Sequence, residues 1–92
     1  MPERTATIAS RSGLHARPAA LFAEAAGDVG VDVTIAKQGD PADEALDASS
    51  ILSLMTLGAE KGDVVVLRAE GHGADAALDS LAKLLETDLD AE

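Results

Sequence analysis

The sequence predicts a two-layer α+β domain, an open-faced sandwich in the order βαββαβα, with a four-stranded antiparallel sheet and three helices on one face. Three observations carry this. The hydrophobic spacing switches repeatedly between a period of two and a period of about 3.6. The strand-like segments keep one polar face, which suits an antiparallel sheet covered on one side only. The length of 92 residues suffices for one small core and not for two, so residues 1–92 are expected to form a single domain.

Taken in order, Thr5-Ala6-Thr7-Ile8-Ala9 alternates polar and apolar, as a strand with one wet face does. From Pro18 to Ala26 the spacing becomes helical: Ala19, Phe22, Ala23 and Ala26 form one stripe, ended by Gly27-Asp28 and Gly30. Val31-Asp32-Val33-Thr34-Ile35 reads as a second strand with its valines and isoleucine inward. Gln38 to Glu44, with Gly39 and Pro41, is a loop, and Ala45-Leu46-Asp47 supplies only a short strand. Ser49 or Ser50 is placed to cap a brief helix over Ile51 to Leu57, which Gly58 ends. That helix has apolar residues on more than one face, and its two turns cannot bury both; Leu54 and Leu57 are expected inward. Asp63 to Glu70 is a further strand. After the turn Gly71-His72-Gly73, the residues Ala77, Leu78, Leu81, Leu84 and Leu85 mark a final amphipathic helix, and Thr87 to Glu92 are expected to fray.

Composition narrows the function classes. Nineteen alanines and a single aromatic residue, Phe22, dictate a core of small aliphatics and leave no aromatic platform for stacking bases. Seventeen acidic against seven basic residues give a net charge of −10, which argues against nucleic acid or an anionic membrane and favours a partner with a basic docking face. The absence of cysteine excludes disulfides and thiolate chemistry, and His15 and His72 stand far apart, so no metal site and no cofactor are expected. No run of export-signal or membrane-span length is present, which makes the cytoplasm the expected compartment. The dispersed acidity, with only three lysines, hints at a high-salt interior.

The chemistry concentrates at Gly13-Leu14-His15-Ala16-Arg17-Pro18. Here a loop becomes a helix. Backbone N–H groups of Ala16 and Arg17 at the helix start have no helical acceptor, and with the positive end of the macrodipole they suit an anion. Pro18 lacks the donor but fits a first turn. The same field disfavours imidazolium and keeps a His15 nitrogen nucleophilic. Arg17 adds a forked, permanent charge worth about 1.5–3 kcal/mol per charge-assisted bond, against roughly 0.3–1 kcal/mol for the dipole. Gly13 allows the close approach of the loop.

The string Gly13 to Ala19 closely resembles the active-site signature of the histidine-containing phosphocarrier (HPr) family of the phosphoenolpyruvate-dependent sugar phosphotransferase system. Ser50 to Gly58 resembles the family's second conserved segment, and the inferred element order is the family's over nearly the whole chain. The resemblance implies that His15 accepts a phosphoryl group on Nδ1 from Enzyme I and passes it to an Enzyme II A domain, with Arg17 stabilising the phosphate. It also implies that Leu14, Ala20, Ile51, Leu52 and Met55 form a docking patch around the histidine, suited to brief association by a monomer. Ser50 aligns with a serine that a kinase phosphorylates in some relatives; here it is read first as a helix cap. Three features depart from many relatives: a longer loop around Pro41 to Glu44, an acidic Glu24 on the first helix, and the strongly negative overall charge.

Other readings follow from other residues. Family members also serve nitrogen-regulatory phosphorelays or donate to a dihydroxyacetone kinase, through the same His15. Asp79-Ser80-Leu81 invites comparison with acyl carrier proteins, but it lies within the last helix of a chain rich in strands, where Ser80 is expected on the wet face. His72 between two glycines is expected to be a turn residue.

Overall fold

In a computed structural model, residues 3–10, 13–14, 16–40 and 44–87 are described. The elements run β1 (Glu3–Thr7), α1 (Ala16–Asp28), β2 (Val33–Lys37), β3 (Leu46–Asp47), α2 (Ile51–Leu57), β4 (Val64–Ala69) and α3 (Ala74–Leu85). The strands form one sheet in the order β1-β4-β2-β3, with every neighbouring pair antiparallel. This is the expected βαββαβα sandwich. No helix among the described residues is long and apolar enough to cross a membrane.

Strand alternation decides which face of the sheet carries the helices. Ala6, Val33, Ile35, Val65, Leu67 and Ala69 point into one core with Ala19, Phe22, Ala23 and Ala26 of α1, Leu54 of α2, and Leu78, Leu81 and Leu85 of α3. Phe22 is fully buried among these small side chains, and each large side chain so enclosed contributes about 1.5–3 kcal/mol relative to exposure. The other face holds Glu3, Thr5, Thr34 and Arg68, and there Arg68 Nε donates to Glu3 at 3.0 Å across the β1–β4 pair. Val66 lies on that polar face yet is only 8 % exposed, because β4 is flanked by Thr5 of β1 and Ala36 of β2 in register.

Two strands sit two residues from their expected places. The first spans Glu3–Thr7 rather than Thr5–Ala9, since the Ala9 N–H leaves the ladder and donates to the Leu85 carbonyl at the end of α3 (3.0 Å). The second begins at Val33, opposite Ala69, because Gly30 with φ +81° still belongs to the turn after α1. A shift of two keeps side chains on their predicted faces. The long-loop expectation at Pro41 falls largely outside the described residues.

Local chemistry explains the ends of the helices. Ser50, extended at φ −105° and ψ 119°, accepts the Ser53 N–H at its Oγ (3.3 Å), and Gly58 closes α2 in the left-handed region. Just before this cap the Asp47 carboxylate accepts both the hydroxyl (2.7 Å) and the N–H (2.9 Å) of Ser49. Those bonds hold its carboxyl below the usual range, the hydroxyl contributing most. Gly73, with φ +85°, starts α3, so His72 is an exposed turn residue. Asp79 on α3 pairs with Arg4 of β1 at 2.8 Å, and Ser80 beside it is exposed. The four-stranded sheet is incompatible with an all-helical acyl carrier.

Leu14, expected in a docking patch, is fully buried and belongs to the core cluster. It stands in a loop, where no hydrophobic period reports its direction, and its N–H is drawn inward to the Ala59 carbonyl (2.9 Å).

Two outcomes are expected. Phe22→Ala should lower the unfolding free energy by about 3–5 kcal/mol and Leu14→Ala by about 2–5 kcal/mol in urea titration; a Leu14 variant of unchanged stability would contradict its burial. Because the folded Asp47 carboxyl titrates below its unfolded counterpart, the turn's contribution is complete above the ordinary carboxylate range. It drains away as pH falls through the folded value. Ser49→Ala should move the Asp47 midpoint upward when its side-chain carboxyl is followed by NMR against pH.

Candidate functional site

The conspicuous chemistry lies where the chain enters α1. Before the histidine, Gly13 donates its N–H to the Ser10 carbonyl and Leu14 to the Ala59 carbonyl, both at 2.9 Å. After it, α1 begins at Ala16, so Ala16 and Arg17 occupy the first two helical positions, whose N–H groups have no acceptor within the helix. Arg17 is exposed, while Pro18 is fully buried and ties the first turn to the core. His15 itself lies outside the described residues. The described residues form its frame: a loop fixed by backbone bonds on one side and a helix start on the other.

The frame is suited to an anion. Seven charged groups of the chain are basic against seventeen acidic, yet α1 has no acidic residue in its first turn. A guanidinium at the second helical position therefore acts together with the dipole, and both favour negative charge at the helix start. The first acidic side chain along α1 is Glu24, exposed two turns further on.

Beside α1 packs α2, and its outer side is apolar. Ile51 (44 % exposed), Leu52 (77 %) and Met55 (45 %) face solvent, while Leu54 is buried and Leu57 half-buried. Three large apolar side chains on one short helix are more than scattered surface hydrophobics and form a patch. Ala20 of α1 is half-buried. Leu14 takes no part in this patch. Leu21 does not figure in the sequence reading but is 37 % exposed. It sits one turn after Arg17 on the solvent side of α1, and that i, i+4 spacing was the signal that could have revealed it.

Ser50 is half-buried, with its hydroxyl oxygen engaged as the α2 cap. His72 is remote in sequence and stands in the turn before α3.

A family model described as the PTS HPr component phosphorylation site matches residues 2–87. The chain is similar to the phosphocarrier protein HPr of Streptomyces coelicolor, 45 % identical over 91 residues that cover 98 % of this chain and 94 % of that protein. It is 41 % identical over 85 residues to the HPr of Haloferax volcanii, with 92 % and 93 % covered. Among solved structures, an HPr from Thermoanaerobacter tengcongensis superposes with a TM-score of 0.84 at 36 % identity, over 100 % of this chain and 99 % of that one. With the anion-suited helix start and the sandwich fold in agreement, the chain belongs to the HPr family of phosphotransferase-system phosphocarriers.

Proposed function

We propose that His15 is the phosphoryl acceptor of this carrier, that Enzyme I is its donor and an Enzyme II A domain its acceptor. The observation that carries this reading is the exposed Arg17 in the first turn of α1, directly beyond a loop anchored by the Gly13 and Leu14 backbone bonds. A neutral His15 attacks the phosphorus of the donor's phosphohistidine through its Nδ1 lone pair. As the new N–P bond forms, the donor's N–P bond breaks and its electron pair returns to the donor ring. The phosphoryl group moves intact, and the second transfer repeats the exchange with His15 as donor.

Arg17 and the N–H groups of Ala16 and Arg17 hold the phosphoryl oxygens. These donors compensate charge on the carrier without enclosing it, so a second protein can reach the phosphorus. The patch of Ile51, Leu52 and Met55, with Ala20, meets each partner. It is small enough for association to remain brief, as a shuttle between partners requires. The protein works as a cytoplasmic monomer, and its acidity fits a salt-rich interior. Ser50 serves α2 as a cap; a phosphoryl group there would place a dianion at the helix start, stabilising the helix while adding a desolvation cost to docking through the neighbouring patch.

With phosphoenolpyruvate and Enzyme I, the chain should acquire an acid-labile phosphoryl label that His15→Ala abolishes; a label undiminished in that variant would sink the assignment. Arg17→Ala should fold normally and transfer roughly 10–100-fold more slowly, the equivalent of about 1.5–3 kcal/mol. Met55→Glu should raise KM for Enzyme I about tenfold, a typical cost for an anchor residue, while leaving kcat near that of the parent. Transfer measured across a potassium chloride series should be fastest at high salt.

A further inference from the structure

The Gly13–Leu14 end of the loop that precedes α1 meets the backbone of the turn that follows α2. Leu14 donates its N–H to the Ala59 carbonyl at 2.9 Å. Gly13, one residue earlier, lies so close that a Cβ there would come within 2.8 Å of the Glu60 Cα and nearer still to the Ala59 carbonyl oxygen. Its φ of +70° is itself a value that side chains disfavour. A backbone neighbour cannot swing aside as a flexible side chain can, so any residue but glycine must lift the loop off this seat.

The seat is firmly held. Ala59 is fully buried. Gly62 donates its N–H to the Ile8 carbonyl and Ile8 donates to the Asp63 carbonyl, each at 2.9 Å, which staples the turn to the end of β1. Within it, Asp63 donates to the Glu60 carbonyl, and the Asp63 carboxylate accepts the Glu60 N–H, again at 2.9 Å. The chain thus enters the histidine position from a support that is tied to the sheet and continuous with α2.

We propose that the Ala59–Glu60 backbone is the platform that sets the position of the phosphoryl-accepting loop, and that Gly13 is a positioning residue for transfer. This rests on the reading of His15 as the acceptor. A bare glycine lets the loop sit down on the turn; the Leu14 bond then fixes the backbone one residue before the reacting ring. Because the same turn extends α2, the docking patch and the Leu14 end of the loop share one support, so a partner seated on the patch is held in register with the backbone that leads to the acceptor.

The test compares Gly13→Ala with Gly30→Ala. Gly30 also has positive φ, +81°, but nothing lies within 4 Å of an added Cβ, so the second variant carries the backbone penalty without the collision. Gly13→Ala should lose hydrogen-exchange protection of the Leu14 amide. Its kcat for transfer from Enzyme I should fall about tenfold to a hundredfold, the scale of a misplacement near 1 Å, with KM little changed. Gly30→Ala should lower the thermal midpoint and leave both readouts as in the parent. Parental kcat in Gly13→Ala, retained Leu14 protection, or an equal loss in Gly30→Ala would each overturn the proposal. Should Gly13→Ala fail to fold, Asp63→Ala loosens the seat from its far side and should reduce kcat severalfold without raising KM; unchanged kcat there counts against the platform. A parent chain that takes no phosphoryl group refutes the carrier reading instead, and that failure is distinguishable because the exchange readout needs no phosphorylation.

Discussion

The antiparallel pairing of β4 with both β1 and β2 is the constraint on which the rest of the molecule depends. It brings a strand from late in the chain between the first two and so gathers the chain's valines, leucines and alanines onto one face. A sheet of four strands in so short a chain has material to cover only that face. All three helices must then lie on the same side. The proposed transfer is placed at the start of α1, where the exposed Arg17 stands.

In the proposed carrier, binding and chemistry draw on different physical sources. Apolar area on the outer side of α2 supplies attraction without direction. Arg17 and the start of α1 supply direction with little area. A shuttle benefits from this separation, because the attraction is equally available to every partner, whereas the phosphate-holding groups remain on the carrier throughout. Leu14 and Pro18, on either side of the proposed site, are buried in the core, whereas Arg17 between them and Ile51, Leu52 and Met55 on α2 are exposed.

Most of the fold was legible in the sequence, since alternation in Val33-Thr34-Ile35 or the spacing of Leu78, Leu81 and Leu85 reports directly on which side faces the core. The strand ends were less so. Where β1 stops is set by a bond from Ala9 to the end of α3, a contact between residues far apart in sequence. Leu14 was misplaced for a related reason: neighbouring a reactive residue says nothing about which way a loop side chain turns. Leu21 was missed because the helix reading selects the buried stripe and treats its complement as uniformly polar. Gly13 was legible as a glycine in a tight loop, but its neighbour, the Ala59 carbonyl, could not be read from any local pattern.

The exposed Leu52 and its companions pose a problem of a different kind, since an apolar patch invites copies of the chain to stick to one another. The seventeen carboxylates answer it at long range. Two chains of charge −10 repel before their patches can touch, whereas a partner carrying basic residues is drawn in. For the proposed carrier, the surplus of acid would bias encounters away from a second copy and toward a basic partner surface. Its reach is the Debye length, about 8 Å at physiological ionic strength and about 3 Å at 1 M, so the ionic strength of the cell sets how far from contact that sorting begins.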